Sequence, residues 1–305
     1  MNSKLLILNY DMLMKKISFL MAGMACIMMT ACSSSDDEVT NEENVSGEAK
    51  MVRLQTRSGD ESPVTIEQVG VFMVYGAMQE SGNYINNMLL QSNGAGAWEP
   101  QYPVFWKDNA TVADFYGYAP YNSGVTNALA YNFQAQTDQS TAAVQKQSDF
   151  LWGKLAEQGP TDNVLSLTLN HLFARAIIKV APGEGFTADE LNNGTLSVRL
   201  NSIRTQATIN LATGAVTASG NAASITPLKE QNLQYSAVVV PQQVASTGIV
   251  TVTWNNANYT LTRAMTFESG KQYTITVTMK KTSGGINIGI GDWEVVDEDF
   301  GGTVN

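Results

Sequence analysis

From residue 50 onward, apolar and polar residues alternate over short segments, which is the pattern of strands that bury one face. The segments 50–57, 164–169 and 174–180 show it most clearly. Other segments, rich in Val, Ile, Thr and Tyr as strands are, lie at 69–75, 196–200, 207–211, 235–240, 249–254, 259–263 and 272–279. Turn-forming sequences such as 212–214 and 269–271 separate them. This pattern predicts an all-β protein.

No long amphipathic helix lies between these segments, and only two short helices are predicted, near 140–146 and 187–191. Many short strands without helical crossovers are typical of antiparallel sandwiches. The chain of 305 residues is long for one core and suits two domains of ordinary size. We therefore expect two β-sandwich domains in tandem, at 50–173 and 174–283.

The N-terminal segment has a different pattern. Lys15 and Lys16 precede an apolar run of 15 residues, 17–31, shorter than the roughly 20 residues that a membrane-spanning helix needs. Small residues then precede Cys32. These features are typical of a bacterial lipoprotein signal peptide, residues 1–31, whose removal leaves Cys32 as an acylated N-terminus. Cleavage by the ordinary signal peptidase is the alternative, and Met14 competes with Met1 as the start.

Residues 32–49 are polar and acidic and contain almost no apolar side chains. Such a segment buries too little surface to offset its loss of conformational entropy, so we expect a flexible tether. Its early acidic cluster, 36–38, resembles the signal that sends some lipoproteins to the outer face of the outer membrane. A plain solvated linker is the alternative interpretation.

Charge and composition exclude several classes of function. The chain carries 28 acidic and 18 basic residues, a formal net charge of −10, which argues against binding to nucleic acid. The two cysteines, Cys26 and Cys32, both lie in the N-terminal segment, so the folded part is expected to contain no disulfide. With His171 as the one histidine, a zinc site built on His or Cys is excluded. We expect neither metal nor cofactor.

Catalytic motifs are scarce as well. His171 shares a strand face with Leu165, Leu167 and Leu169, which favours a core residue over a catalytic base. No Gly-x-Ser-x-Gly turn and no glycine-rich phosphate loop accompanies it. The chain is therefore predicted not to be an enzyme, although a pair of carboxylates that meet only in the fold stays open.

Aromatic residues are concentrated at 102–106 and 115–121. If exposed, they would offer a stacking platform for sugar rings, with Trp106 as its centre. If buried, they would pack the first sandwich, since each large ring removes about 150–250 Å² from water. Rings occur on both strand faces at 115–121, which favours the packing interpretation.

Several of these segments together resemble the fimbrillin family, the type V pilins and related surface lipoproteins of Bacteroidota. The resemblance covers nearly all of the chain after Cys32, ends with the segment around Trp293, and is carried by residues 114–121 (DFYGYAPY), 148–153 (SDFLWG), 167–175 (LTLNHLFAR), 235–242 (YSAVVVPQ) and 267–273 (FESGKQY). It implies two transthyretin-like β-sandwich domains and a lipoprotein precursor of the outer membrane, displayed at the cell surface.

The resemblance also implies an adhesive fimbrial subunit that polymerises with other fimbrial subunits by strand exchange. In the family, a trypsin-like or Arg-specific protease cuts beyond the first strand, which then leaves a groove for a strand of the next subunit. Here that first strand is predicted at 50–57. Arg57 is the best site for the cut and Arg53 the second choice; Arg57 as a plain solvated loop residue is the alternative.

The C-terminal tail, 284–305, is the candidate donor strand. Ile286, Ile288 and Ile290 alternate in it, and Trp293 and Val295 extend the pattern. Two glycines before these residues provide a hinge. The tail could equally close its own domain, as a tip or anchor subunit would allow. A surface lipoprotein that does not polymerise and binds glycan or host protein is the remaining alternative.

Overall fold

The computed structural model describes residues 49–58, 66–95 and 97–281, and the backbone of two short strands in the tail. Within these residues strands dominate and helix is confined to two short segments, so the all-β prediction is confirmed. The eighteen strands are β1 (Arg53–Ser58), β2 (Gln68–Val74), β3 (Ile85–Ser92), β4 (Trp98–Pro100), β5 (Ala113–Ala119), β6 (Tyr131–Gln134), β7 (Leu151–Gln158), β8 (Val164–His171), β9 (Ala174–Pro182), β10 (Leu196–Asn210), β11 (Ala215–Ile225), β12 (Leu228–Gln231), β13 (Gln234–Val239), β14 (Gln242–Trp254), β15 (Ala257–Phe267), β16 (Lys271–Lys281), β17 (Ile288–Ile290) and β18 (Val295–Asp299).

Two short helices lie where the sequence predicts them, α1 at Ala142–Ser148 and α2 at Ala188–Asn193. Each begins after a threonine whose hydroxyl accepts a backbone N–H of the first turn, as N-cap residues do. At α2 the arrangement is a full capping box between Thr187 and Glu190. No helix among the described residues has the length and apolar character needed to cross a bilayer.

The strands form three sheets, with the strand orders β1-β8-β7-β5-β2-β3-β4, β11-β10-β14-β15 and β12-β13-β9-β16-β17. Two further strands pair off these paths, β6 on β10 and β18 on β16. Almost all neighbours are antiparallel. The exceptions are the pairs β1/β8 and β9/β16, which run parallel.

Three hydrophobic clusters fill the space between the sheets. The first lies under β2, β5 and β8 and includes Phe115 and Leu167, and the third lies between the sheets of the second half and includes Ile275. The second cluster contains residues from both halves of the chain, such as Phe150 and Ile209. Within it, β6 of the first half pairs with β10 of the second. The division at 173 and 174 remains a prediction.

Candidate strand-exchange site

The first strand, β1, is an edge strand of the first sheet, and the residues just before it have a second neighbour. On one side it runs parallel to β8, from Arg53 opposite Val164 to Ser58 opposite Leu169. On the other side only the residues leading into it are paired: Val52 N–H donates to the carbonyl of Val104 at 2.8 Å. The N–H of Trp106 in turn donates to the carbonyl of Lys50 at 2.9 Å. The first strand therefore joins β8 to the segment 104–106.

The side chains of this strand alternate between core and solvent. Val52 and Thr56 are 5% and 8% exposed, and Leu54 between them is half-buried. Val52 belongs to the same cluster as Leu167 and Leu169 of β8. Without β1, these leucines and one edge of β8 would be open to water, and an unpaired sheet edge readily accepts another strand. The predicted first strand thus covers an apolar cleft.

Two polar atoms at this cleft are buried without a hydrogen-bond partner, the Thr56 hydroxyl and the Trp106 indole nitrogen. Trp106 is 2% exposed and packs edge-on against Phe115 with the ring centres 5.7 Å apart. A buried polar group without a partner costs about 1–3 kcal/mol. The hydroxyl of Thr56 therefore weakens the seating of β1 in its own cleft.

Both arginines predicted as cleavage sites are exposed and lie within β1. Arg57 is opposite Thr168, and its Nε donates to the Thr168 hydroxyl at 3.1 Å. The strand continues to Ser58. Arg57 therefore lies within the strand, at its next-to-last paired position, and not beyond it. A protease that binds extended substrate would need this end of β1 to detach from β8. Residues 59–65, which follow, lie outside the described residues.

The tail pairs with its own chain. Its two strands run antiparallel to β16, with Ile288 opposite Lys281, Ile290 opposite Met279, and Val295 opposite Ile275. This is the arrangement of a tail that closes its own domain. Ile286 and Trp293 lie outside the described residues. The donor role stays a prediction.

The N-terminal predictions fall outside the described part of the chain. Cys32 belongs to residues 1–48, which the structure does not describe, as do the predicted signal peptide and nearly all of the tether. Lipidation at Cys32 therefore stays a prediction.

His171 is a core residue, as predicted, whereas its partner in the fold could not be identified from the sequence. It is 3% exposed, and its Nδ1 lies 2.6 Å from Oδ2 of Asp149, which is 7% exposed. Asp149 follows α1, and His171 ends β8, two residues beyond the last residue paired with β1. The pair holds α1 to the strand that borders the cleft. Within the described residues no cluster of acidic, His or Cys side chains could hold a metal ion.

The aromatic region is mainly core, as the packing interpretation predicts. Phe115, Tyr116 and Tyr118 are all below 5% exposed, and burial raises the pKa of the Tyr118 hydroxyl well above its usual value. Trp106 is buried too and offers no face to a sugar. Among the aromatic residues of 102–106, only Tyr102 and Phe105 are exposed, at 43% and 45%.

Polar contacts join β5 and β7, two strands near the cleft. Asp114 on β5 accepts from the backbone N–H of Glu157 at 2.8 Å, and its other oxygen lies 2.8 Å from Nζ of Lys154 on β7. Partial burial raises the pKa of Asp114, but these hydrogen bonds outweigh it, so the pKa lies below its ordinary value. The carboxylate therefore stays ionised and ties β5 to β7.

These features define an all-β protein whose first strand pairs along the edge of β8 and covers apolar side chains of the first cluster. A family model described as fimbrillin-like matches residues 56–293, most of the chain. The chain belongs to this fimbrillin-like family, a family of fimbrial subunits of the cell surface. No curated protein matches its sequence significantly.

Solved structures share the fold at low identity. A candidate cell adhesion protein from Bacteroides uniformis has a TM-score of 0.64 and 18% identity, covering 83% of this chain and 99% of its own. One from Bacteroides ovatus has a TM-score of 0.63 and 17% identity, covering 84% and 99%. The tip fimbrial protein Mfa3 from Porphyromonas gingivalis, with a C-terminal truncation, has a TM-score of 0.50 and 11% identity, covering 81% and 100%.

Proposed function

We propose that the chain is a structural subunit of a surface fimbria that polymerises after a protease removes its first strand. The observation that carries the proposal is the placement of the first strand: β1 pairs along β8, residues 50–52 before it pair with segment 104–106, and the inward side chains cover part of the first cluster. A strand held in this way can be replaced by another that offers the same alternation of apolar side chains. Backbone hydrogen bonds then give affinity, and the inward side chains give specificity.

Removal of β1 creates the need for a replacement. Burial of an aliphatic side chain stabilises the folded subunit by about 1.5–3 kcal/mol. The first strand and the residue before it bury Val52, half of Leu54 and the methyl group of Thr56. An empty cleft also leaves the backbone groups of β8 without partners. A donor strand with larger inward residues, such as the isoleucines of the tail, would satisfy both demands better than β1 does.

Processing and anchoring complete the proposal. A trypsin-like or Arg-specific protease cuts after Arg57, with Arg53 as the second site. The precursor is held at the outer membrane by lipid on Cys32, so that assembly takes place at the cell surface. The exposure of both arginine side chains supports access by such a protease.

Trypsin treatment of the purified precursor tests the proposal. We expect a new N-terminus at Ser58 and a ladder of polymers on a non-boiled gel. The double variant Arg53→Ala, Arg57→Ala should give neither, whereas Arg204→Ala, which removes an exposed arginine from β10, should behave like the natural chain. A ladder from the double variant would reject the proteolytic trigger.

A second candidate, a tip or anchor subunit, is favoured by the pairing of the tail with its own β16. Such a subunit would accept or cap a neighbour without donating a strand. Deleting residues 284–305 separates the two roles. Loss of all self-polymers supports the donor role of the tail, and a chain that never self-polymerises but joins polymers of a different subunit supports the tip or anchor role.

A further inference from the structure

Exposed apolar side chains gather at one end of β1. Met51 and Phe105, directly opposite each other across the strand pair, are 41% and 45% exposed. Tyr84, at 47%, donates its hydroxyl to the carbonyl of Phe105 at 2.9 Å. Val164, at 51%, lies opposite Arg53 on the other side of β1. We name Met51, Tyr84, Phe105 and Val164 the mouth patch.

The mouth patch is not a random scatter of apolar residues. It holds four of the six exposed large hydrophobic residues of the described chain. Single exposed apolar residues are ordinary, but a contiguous group usually marks an interaction surface. The patch flanks β1 on both sides, at the end where the strand begins. Its position therefore connects it with whatever strand fills the cleft.

The direction of β1 decides which end of the cleft a replacement enters. β1 runs parallel to β8 and away from the mouth patch. A donor that kept this direction would come out of its own subunit beside the patch. A donor of opposite direction would enter at the Ser58 end, near the cavity of about 340 Å³ lined by Ile66, Tyr121 and Leu151. Tyr102 lies toward that end, because Pro100 shortly before it is opposite Leu90 of β3, which is opposite Val69 at the start of β2.

A short hinge forces the body of the donor subunit close to the cleft. β16 ends at Lys281, and the alternating pattern of the tail starts at Ile286. Five residue steps reach at most about 18 Å when fully extended. The donor body must therefore abut one end of the cleft, and the exposed apolar side chains lie at the end where β1 begins.

We propose that the donor, a second copy of this chain, inserts its tail parallel to β8 and seats its body on the mouth patch. The inference rests on the proposed function and names the contact that accompanies strand exchange. Met51 departs with β1, so the patch of the processed subunit consists of Tyr84, Phe105 and Val164.

Charge is complementary across this contact. Lys107, two residues after Phe105 of the mouth patch, is exposed, and its Nζ lies 5.7 Å from the centre of the Tyr75 ring. On the donor, exposed Glu184 lies beside the end of β16, where its carbonyl accepts from Lys281 N–H at 2.8 Å. Opposite charges of this kind orient two copies as they approach.

The first test is the full-length precursor with both Tyr84→Glu and Phe105→Glu, treated with trypsin. Cleavage at Arg57 should be unchanged, and the yield of polymer should fall by about tenfold or more, which corresponds to 1.4 kcal/mol per contact. Phe105→Glu alone has its matched control in Tyr102→Glu, since each variant places one negative charge on a similarly exposed ring, the control at the other end. Thermal unfolding of each uncut precursor checks that the fold is intact.

A cross-link tests the direction itself. After cleavage at Arg57 the chain contains no cysteine, because Cys26 and Cys32 both precede the cut. Polymers with Phe105→Cys and Glu184→Cys should form disulfides between neighbours under mild oxidation, and those with Tyr102→Cys and Glu184→Cys should not.

The outcomes separate the two proposals. If the natural chain forms no polymer, both the proposed function and this inference fail. If polymers form, but the Tyr84→Glu, Phe105→Glu variant polymerises normally or the cross-link forms through position 102, strand exchange stands and the inferred direction and contact are wrong.

Discussion

Each half of the molecule contains one parallel pair of strands, and the two pairs are built very differently. In the second half, β16 runs beside β9 over eight paired positions, with Tyr273, Ile275, Val277 and Met279 all buried in one row. In the first half, β1 runs beside β8 over six positions and offers the core Val52, Leu54 and Thr56. β16 is therefore held firmly in its sheet, whereas β1 is held less firmly, as the proposed exchange requires.

The difference shows what makes a strand exchangeable. β16 has partners along both edges, β9 on one side and the tail on the other. β1 is paired along only one edge over its whole length, and its row of inward side chains contains a buried hydroxyl without a partner. A strand of this kind completes the fold but is held less firmly than β16, which supports the proposed exchange.

The largest effect is expected from truncating the fixed pair. Ile275→Ala should lower the free energy of unfolding by about 2–5 kcal/mol, because it opens a cavity in a fully buried row. Leu54→Ala in β1 should lower the free energy of unfolding by clearly less, because Leu54 is only half-buried. Urea denaturation of the two variants measures the difference. Equal losses would contradict the distinction between a fixed and an exchangeable strand.

A smaller effect of opposite sign is expected at Thr56. Thr56→Val removes the unpaired hydroxyl and keeps the shape, so the precursor should gain about 1 kcal/mol. The gain should appear as a melting temperature higher by about 2–4 °C. The β1 peptide should also dissociate more slowly after trypsin cleavage.

Thr56→Ser serves as the control for this change, because it retains the hydroxyl and loses the methyl group; it should destabilise the precursor. A destabilised Thr56→Val variant would mean that the hydroxyl is satisfied and that β1 seats well.

The smallest effect concerns the strands that remain beside the cleft. The pKa of Asp114 is lower in the fold than in the unfolded chain, so its stabilising contribution is present above the unfolded value of about 3.9 and is lost as the pH falls through the folded value. Since Asp114 is half-buried and solvent at its partner Lys154 screens the pair, we expect only a few tenths of a kcal/mol.

Denaturation of the natural chain and of Asp114→Asn between pH 2 and 6 measures this contribution. The variant should lose less stability on acidification than the natural chain. Parallel pH profiles for the two proteins would show that Asp114 does not tie β5 to β7.

Strand alternation made part of the fold predictable. The segments 50–57, 164–169 and 174–180 correspond to β1, β8 and β9 because each has one apolar face. The alternation fixes which face is buried but not which strand lies beside it, so the parallel pairing of β1 with β8 could not be predicted.

Other strands were missed or divided for physical reasons. The segments 196–200 and 207–211 are parts of one strand, β10, whose alternation is broken where Ser202 takes a positive φ of 62° and the register shifts. β11 was missed because its small and polar residues give no alternating signal. Asp149 and Tyr84 lie more than twenty residues from the residues they contact, His171 and Phe105. A local sequence pattern cannot predict such contacts.

The short link between β8 and β9 has a mechanical consequence. Only the buried residues Leu172 and Phe173 separate these two strands. In a fimbria under tension, force would enter at β8 through the inserted strand, pass directly into β9, cross to β16 and leave at Lys281. Pulling the start of β9 against the end of β16 shears their parallel ladder lengthwise, so all its hydrogen bonds resist together instead of opening one after another. The chain would thus bear load where its sheet is strongest.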